Sequence, residues 1–140
     1  MGRSELFDHT ADVGIRICAE SLDDLFATAA AALFRLIVVN HEVVREEVAE
    51  TIELEAESLS QLLVDWLNEL IFRTETQHRV YHGFEVQVDG QRPALRAVIR
   101  GEPIDPQRHI LDHEVKAATR HGAGVSRGNG GFTAEIILDI

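Results

Sequence analysis

The chain has 140 residues, 45% of them hydrophobic, with 13 Lys+Arg against 24 Asp+Glu and a formal net charge of -11. That length predicts one domain over residues 1–140, able to bury roughly two thirds of its unfolded surface without disulfides. The charge excludes bulk phosphate attraction as a way of holding nucleic acid and disfavours an anionic membrane surface. A basic protein partner or a bound cation remains compatible with it.

Val13, Ile15 and Ile17 alternate with Gly14, Arg16 and Cys18, which predicts a strand with one buried face. Ser21 opens a helix, with Asp24 as a weaker capping partner. Leu22, Leu25, Phe26, Ala29, Leu33, Phe34 and Ile37 form its apolar stripe, and the helix ends before Asn40. Val48 to Ala56 reads as a second strand. Ser58 and Gln61 form a capping box for a second helix, whose stripe runs from Leu59 through Trp66 to Ile71. Phe84, Val86 and Val88 alternate before an Asp89-Gly90 turn, and Leu95, Ala97 and Ile99 alternate after it. Glu102-Pro103 and Asp105-Pro106 interrupt the chain. A short strand is expected over His113 to His121. Gly122 to Gly131 is expected to be a mobile loop or wide hairpin, and Phe132 to Leu138 the last strand. Two amphipathic helices and about six strands give an α+β class: a two-layer sandwich in which both helices cover one mixed β-sheet.

The acidic excess is one-sided. Residues 1–78 hold 5 basic and 16 acidic side chains, and residues 79–140 hold 8 of each. The run from Glu42 to Glu57 is either a solvated face that keeps the protein soluble or a docking face for a basic surface. Cys18 stands alone, so no internal disulfide can form, and it reads as an inert thiol. No signal peptide follows Met1, and the longest apolar run, Ala29 to Phe34, is too short to span a bilayer. A reducing cytoplasmic setting is the expectation.

Phosphate loops, zincin motifs and nucleophile elbows are absent. The densest ligand-type segment is Phe7-Asp8-His9-Thr10-Ala11-Asp12-Val13-Gly14. Asp12 falls on the polar phase of its strand. Asp139 lies away from the apolar phase of the last one, and Ile140 follows with a terminal carboxylate. If the first and last strands neighbour one another, three carboxylates converge, and their repulsion calls for a hard cation such as calcium or magnesium. Solvated strand-end aspartates are the plainer account. His78 with His82, and His109 with His113, have the spacing of helical metal pairs, but neither pair sits in a convincing helix. Lys116 is the only lysine among basic residues that are otherwise arginine. Its compact ammonium differs chemically from a guanidinium. Arg96, Arg100, Lys116, Arg120 and Arg127 could form a small basic patch, too thin for a nucleic-acid groove.

Five blocks point further. Phe7 to Gly14, Leu63-Val64-Asp65-Trp66-Leu67-Asn68-Glu69-Leu70, Gly101-Glu102, Glu114-Val115-Lys116-Ala117-Ala118-Thr119 and Asp139-Ile140 together resemble the archease family over essentially the whole chain. Arg120 stands where that family commonly has an aromatic, and Phe132 where it often has tryptophan. The resemblance implies an accessory protein of the RtcB-type RNA ligase in tRNA splicing and RNA repair. Such a protein promotes ligase guanylylation and multiple turnover, can broaden the nucleotides used, and performs no ligation itself. Transient contact with the ligase's nucleotide or RNA is compatible with that role, without strong binding to nucleic acid alone. The resemblance also implies a metal site for calcium, or another hard divalent cation such as magnesium or manganese, made by Asp12, Asp139 and Ile140. Lys116 would then act in ligase activation, with Asp8 and His9 as supporting neighbours of the metal. Two other readings use the same residues differently: a small metal-dependent phosphoesterase built on Asp12 and Asp139, and a protein- or RNA-binding chaperone module.

Overall fold

The computed structural model describes residues 2–9 and 12–140, and for Phe7, Asp8, His9, His121 and Gly122 the backbone alone. The element order is β1 (Arg3–His9), β2 (Asp12–Ala19), α1 (Leu22–Ile37), a short 3-10 turn (His41–Val43), β3 (Val48–Glu55), α2 (Leu59–Gln77), β4 (Arg79–Asp89), β5 (Ala94–Pro103), β6 (Ala117–Gly128) and β7 (Gly131–Asp139). The α+β reading with two amphipathic helices holds. The strands divide into two sheets, ordered β1-β2-β7-β6 and β3-β5-β4, with every pairing antiparallel. Alternation fixes which side chains share a face and says nothing about partner or direction, so one mixed sheet and two antiparallel ones look alike in sequence.

Both helices start where their caps require. The Asp24 amide donates to Ser21 Oγ at 3.1 Å, and the Gln61 amide to Ser58 Oγ at 3.1 Å. The Gln61 side chain turns forward to Asp65 Oδ1 at 2.7 Å, so it makes no return contact to Ser58 and the capping box is only half formed. Helix α2 continues past its apolar stripe to Gln77, helped by the Glu69–Arg73 pair at 2.7 Å. It stops at His78, whose φ of 55° is left-handed, and β4 begins at once. Helix α1 lies against β2 and β4, and α2 mainly against β6. The core joins both sheets: Ile15, Ile17, Ile136 and Leu138 from one, Ile52, Val80, Tyr81 and Ile99 from the other, around Phe26, Phe34 and Trp66. Trp66 Nε1 donates to the Phe26 carbonyl at 3.0 Å, tying the helices together.

Two expectations change. Strand β1 was not anticipated, because Arg3 to His9 shows little alternation. The glycine-rich segment is neither a loop nor a wide hairpin: β6 runs through it to Gly128 and returns after Asn129-Gly130, with Gly130 at φ 79°. As an edge strand β6 needs only one ladder, and β7 supplies it over residues 117–119 and 124–128, with a register shift between them, so few side chains are required for it to order.

Candidate functional site

The register of the four-stranded sheet decides which sequence candidates meet. Asp12 pairs directly with Asp139 across β2 and β7, His9 pairs with Asp12, and Ala117 pairs with Asp139. One end of the sheet therefore carries His9, Asp12, Asp139 and Ala117 in a row, with Ile140 following Asp139. Val13, Ile15 and Ile17 face Leu138, Ile136 and Ala134 on the buried side, which puts Asp12 and Asp139 together on the other side. Directly opposed residues have Cβ atoms roughly 4.5–5.5 Å apart, and like charges there repel. Both residues are half-buried. Asp8 pairs with Val13, one position out of phase. The side chains of Asp8 and His9 lie outside the described residues.

Lys116 joins the row through its backbone. Its amide donates to the Asp139 carbonyl at 2.8 Å, and its side chain is exposed. The strand start behind it is held by Asn68 of α2. Asn68 Nδ2 donates to the Ala118 carbonyl at 3.0 Å, and the Ala118 amide donates to Asn68 Oδ1 at 2.8 Å. One side-chain amide thus replaces a strand partner at the sheet edge. In the sequence Asn68 is one of three polar residues in the Leu63 to Leu70 block, and nothing there marks it as the partner of a strand.

The donors fit a hard cation in type. Asp12, Asp139 and the Ile140 terminal carboxylate offer anionic oxygens, which suit calcium, magnesium or manganese better than softer metals. Calcium takes 6–8 oxygens, so backbone oxygens or water would complete the shell. Among the described residues, no three His, Cys, Asp or Glu side chains come together as metal ligands.

The histidine pairs do not form ligand pairs. His78 ends α2, whereas His82 lies in β4, stacks on His41 at 4.8 Å and contacts Glu46 at 3.0 Å. His109 is buried. Its Nδ1 accepts the Asp105 amide at 2.9 Å, so Nε2 carries the proton and donates to Glu102 Oε2 at 3.0 Å. Glu102 also accepts from Arg108 at 2.7 and 3.1 Å and from the Arg45 amide at 2.7 Å. Arg108 chiefly, with Arg45 and His109, pulls the Glu102 carboxyl down to about 2 against the cost of burial. Gly101 explains its own half of the Gly101-Glu102 block: a Cβ there would stand 1.9 Å from the Val80 carbonyl oxygen.

The basic patch does not assemble. Arg96 and Arg100 are in the three-stranded sheet, at 3.7 Å from Glu53 and 2.5 Å from Glu85. Arg120 and Arg127 are on β6 of the other sheet, and Arg127 sits over Phe132 at 5.5 Å. The acidic run is likewise partly neutralised: Glu50 bonds Arg73 and Arg79, and Glu55 lies 3.4 Å from Arg92. Cys18 is a half-buried free thiol. Among the described residues, no helix is long and apolar enough to cross a membrane.

The family profile described as the Archease protein family matches residues 5–140. The chain belongs to the archease family. It is 42% identical over 138 residues to a Methanopyrus kandleri protein named protein archease, covering 97% of this chain and 98% of that one. It is 37% identical over 143 residues to the Pyrococcus abyssi protein archease, covering 100% of both. A solution structure of a Methanobacterium thermoautotrophicum protein superposes with a TM-score of 0.80 at 29% identity, over 98% of each chain. A Thermotoga maritima crystal structure, described as an archease and possible chaperone, gives 0.68 at 17% identity over 97% of this chain and 96% of that one, a likeness of fold. Within this fold β2 and β7 carry the carboxylates, Asn68 sets the start of β6, and Gly101-Glu102 anchors the chain at the end of β5.

Proposed function

We propose that this archease is a non-catalytic accessory protein of an RtcB-type RNA ligase, acting in the cytoplasm in tRNA splicing and RNA repair. It promotes ligase guanylylation and multiple turnover and broadens nucleotide use. The observation that carries the reading is the sheet corner, where Asp12 stands opposite Asp139 and the Lys116 amide is bonded to Asp139. Asp12, Asp139 and the Ile140 carboxylate would hold a calcium-like cation, with Asp8 and His9 as supporting neighbours. When bound, that cation supplies positive charge able to hold phosphate oxygens. Lys116 is bonded through its backbone to the same corner with its side chain exposed, and Asn68 fixes the start of the strand that follows it. A compact, fixed positive group at the mouth of a ligase active site lowers the cost of bringing in a triphosphate.

Guanylylation and multiple-turnover joining by the cognate ligase, with substoichiometric amounts of this protein, test the proposal. A large gain is expected with wild type and little with Asp12→Ala or Lys116→Ala. Undiminished stimulation by both folded variants would refute the assignment of the corner. Turnover of phosphoesters by this protein alone, with magnesium or manganese, would favour an enzyme instead.

A further inference from the structure

A second feature lies where the two helices end, next to the chain that leads into Lys116. An apolar slot of about 300 Å³ is lined by Ile37, Ile71, Ile104, Leu111 and Val115, with Thr74 on one wall. Its walls are tied in place. The Asp112 and His113 amides donate to the Ile37 and Leu36 carbonyls at 2.9 and 3.1 Å, and the Ile104 amide donates to the His78 carbonyl at 2.8 Å. The buried Glu102–His109–Arg108 cluster fixes the segment between them. Leu111 is 48% exposed, and the apolar surface continues over Ile110 and Val39, joined by a 2.8 Å backbone bond.

Three carboxylates border the slot: Glu75, Asp112 and Glu114. Elsewhere many carboxylates pair with arginine, as Glu5 and Glu135 do with Arg16, or Glu85 with Arg100. Among the described residues none of these three has an arginine or lysine partner; Asp112 has only His113, at 3.7 Å. The C-terminal turns of α1 and α2 also end here, and helix C-termini carry partial negative charge. The three carboxylates make the field over the apolar opening negative, and the helix ends add to it in the same sense. Thr74 Oγ1 is buried there with no hydrogen-bond partner, a group that native interiors seldom leave unmet.

We propose that this slot docks a partner-protein segment that inserts an apolar side chain and flanks it with arginine or lysine. The apolar residue fills the cavity, the basic residues meet Glu75, Asp112 and Glu114, and a polar group of the segment bonds Thr74. The preformed walls keep the ordering cost of docking low. The inference goes beyond the metal corner and stands or falls separately from it.

The test is NMR titration of the full chain with two short amphipathic helical peptides. They share one leucine face and differ in carrying arginine or glutamate on the other. The arginine peptide should shift Thr74, Leu111 and Val115 selectively, and the glutamate peptide should leave them unmoved. Asp112→Arg with Glu114→Arg, both at exposed positions, should weaken the arginine peptide by at least about tenfold. Leu111→Ser should weaken it with the charges intact. Equal binding of both peptides, or no shift at the slot at millimolar peptide, overturns the proposal. Shifts at the slot that follow protein concentration alone would assign the surface to a second copy of this chain and overturn it too.

Discussion

Replacing Glu102 with glutamine leaves its size almost unchanged and removes one buried charge. Glu102 is 3% exposed, and every neighbour that touches its carboxylate is a donor: the Arg45 amide, two Arg108 nitrogens and His109 Nε2. A glutamine amide would turn an NH2 group toward donors on one side. The carboxyl is drawn from 4.5 to about 2. At about 1.36 kcal/mol per pKa unit, the displacement corresponds to roughly 3 kcal/mol of stability. Breaking a buried charged pair gives a similar figure, about 3–5 kcal/mol. The folded-state pKa is depressed, so this stability is fully present above the unfolded value near 4.5 and is lost as pH falls through about 2. Urea unfolding of wild type and Glu102→Gln across acidic to neutral pH isolates it, because the other carboxylates cancel in the difference. The gap should be about 3 kcal/mol near neutrality and close progressively below pH 4.5. A variant within about 0.5 kcal/mol of wild type at neutral pH, or a gap that does not change with acidity, would falsify the assignment of this cluster as the clamp on residues 102–109.

Three further outcomes follow from the same geometry. Asn68→Ala removes both bonds to Ala118 and should cost about 1–3 kcal/mol, with faster amide exchange at Ala118 and weaker ligase stimulation despite intact carboxylates; unchanged exchange there counts against its clamping role. With calcium in the proposed corner, a hundredfold excess over Kd should stabilise wild type by about 2.7 kcal/mol, and Asp12→Asn should lose that gain; a calcium gain equal in both proteins places the ion elsewhere. Gly101→Ala forces a Cβ to 1.9 Å from the Val80 carbonyl oxygen and 2.7 Å from the Tyr81 Cα. It should cost about 1–3 kcal/mol or more in denaturant unfolding, and a neutral result would show that β4 and β5 can separate freely.

Local physics makes much of this protein legible in its sequence. Ser21 and Ser58 announced both helices, because a hydroxyl before an apolar periodic run meets the otherwise orphaned amides of the first turn. The alternating phase of β2 and β7 put Asp12 and Asp139 on the face away from the core, because side chains in a strand repeat every two residues. Pairing was not legible. Nothing in the residues states that β2 lies between β1 and β7, or that β3 and β5 belong to a second sheet, since strand partners are chosen by how all the apolar faces close over one another. That choice turned two distant aspartates into direct neighbours. It also put Arg96 and Arg100 in one sheet and Arg120 and Arg127 in the other, and it ordered a glycine-rich edge strand because β7 offered a ladder. Asn68 and Glu102 show the same division. As residue types they are ordinary polar positions, and they become a strand clamp and a buried anchor only because the tertiary fold brings Ala118, Arg108 and His109 within hydrogen-bond reach.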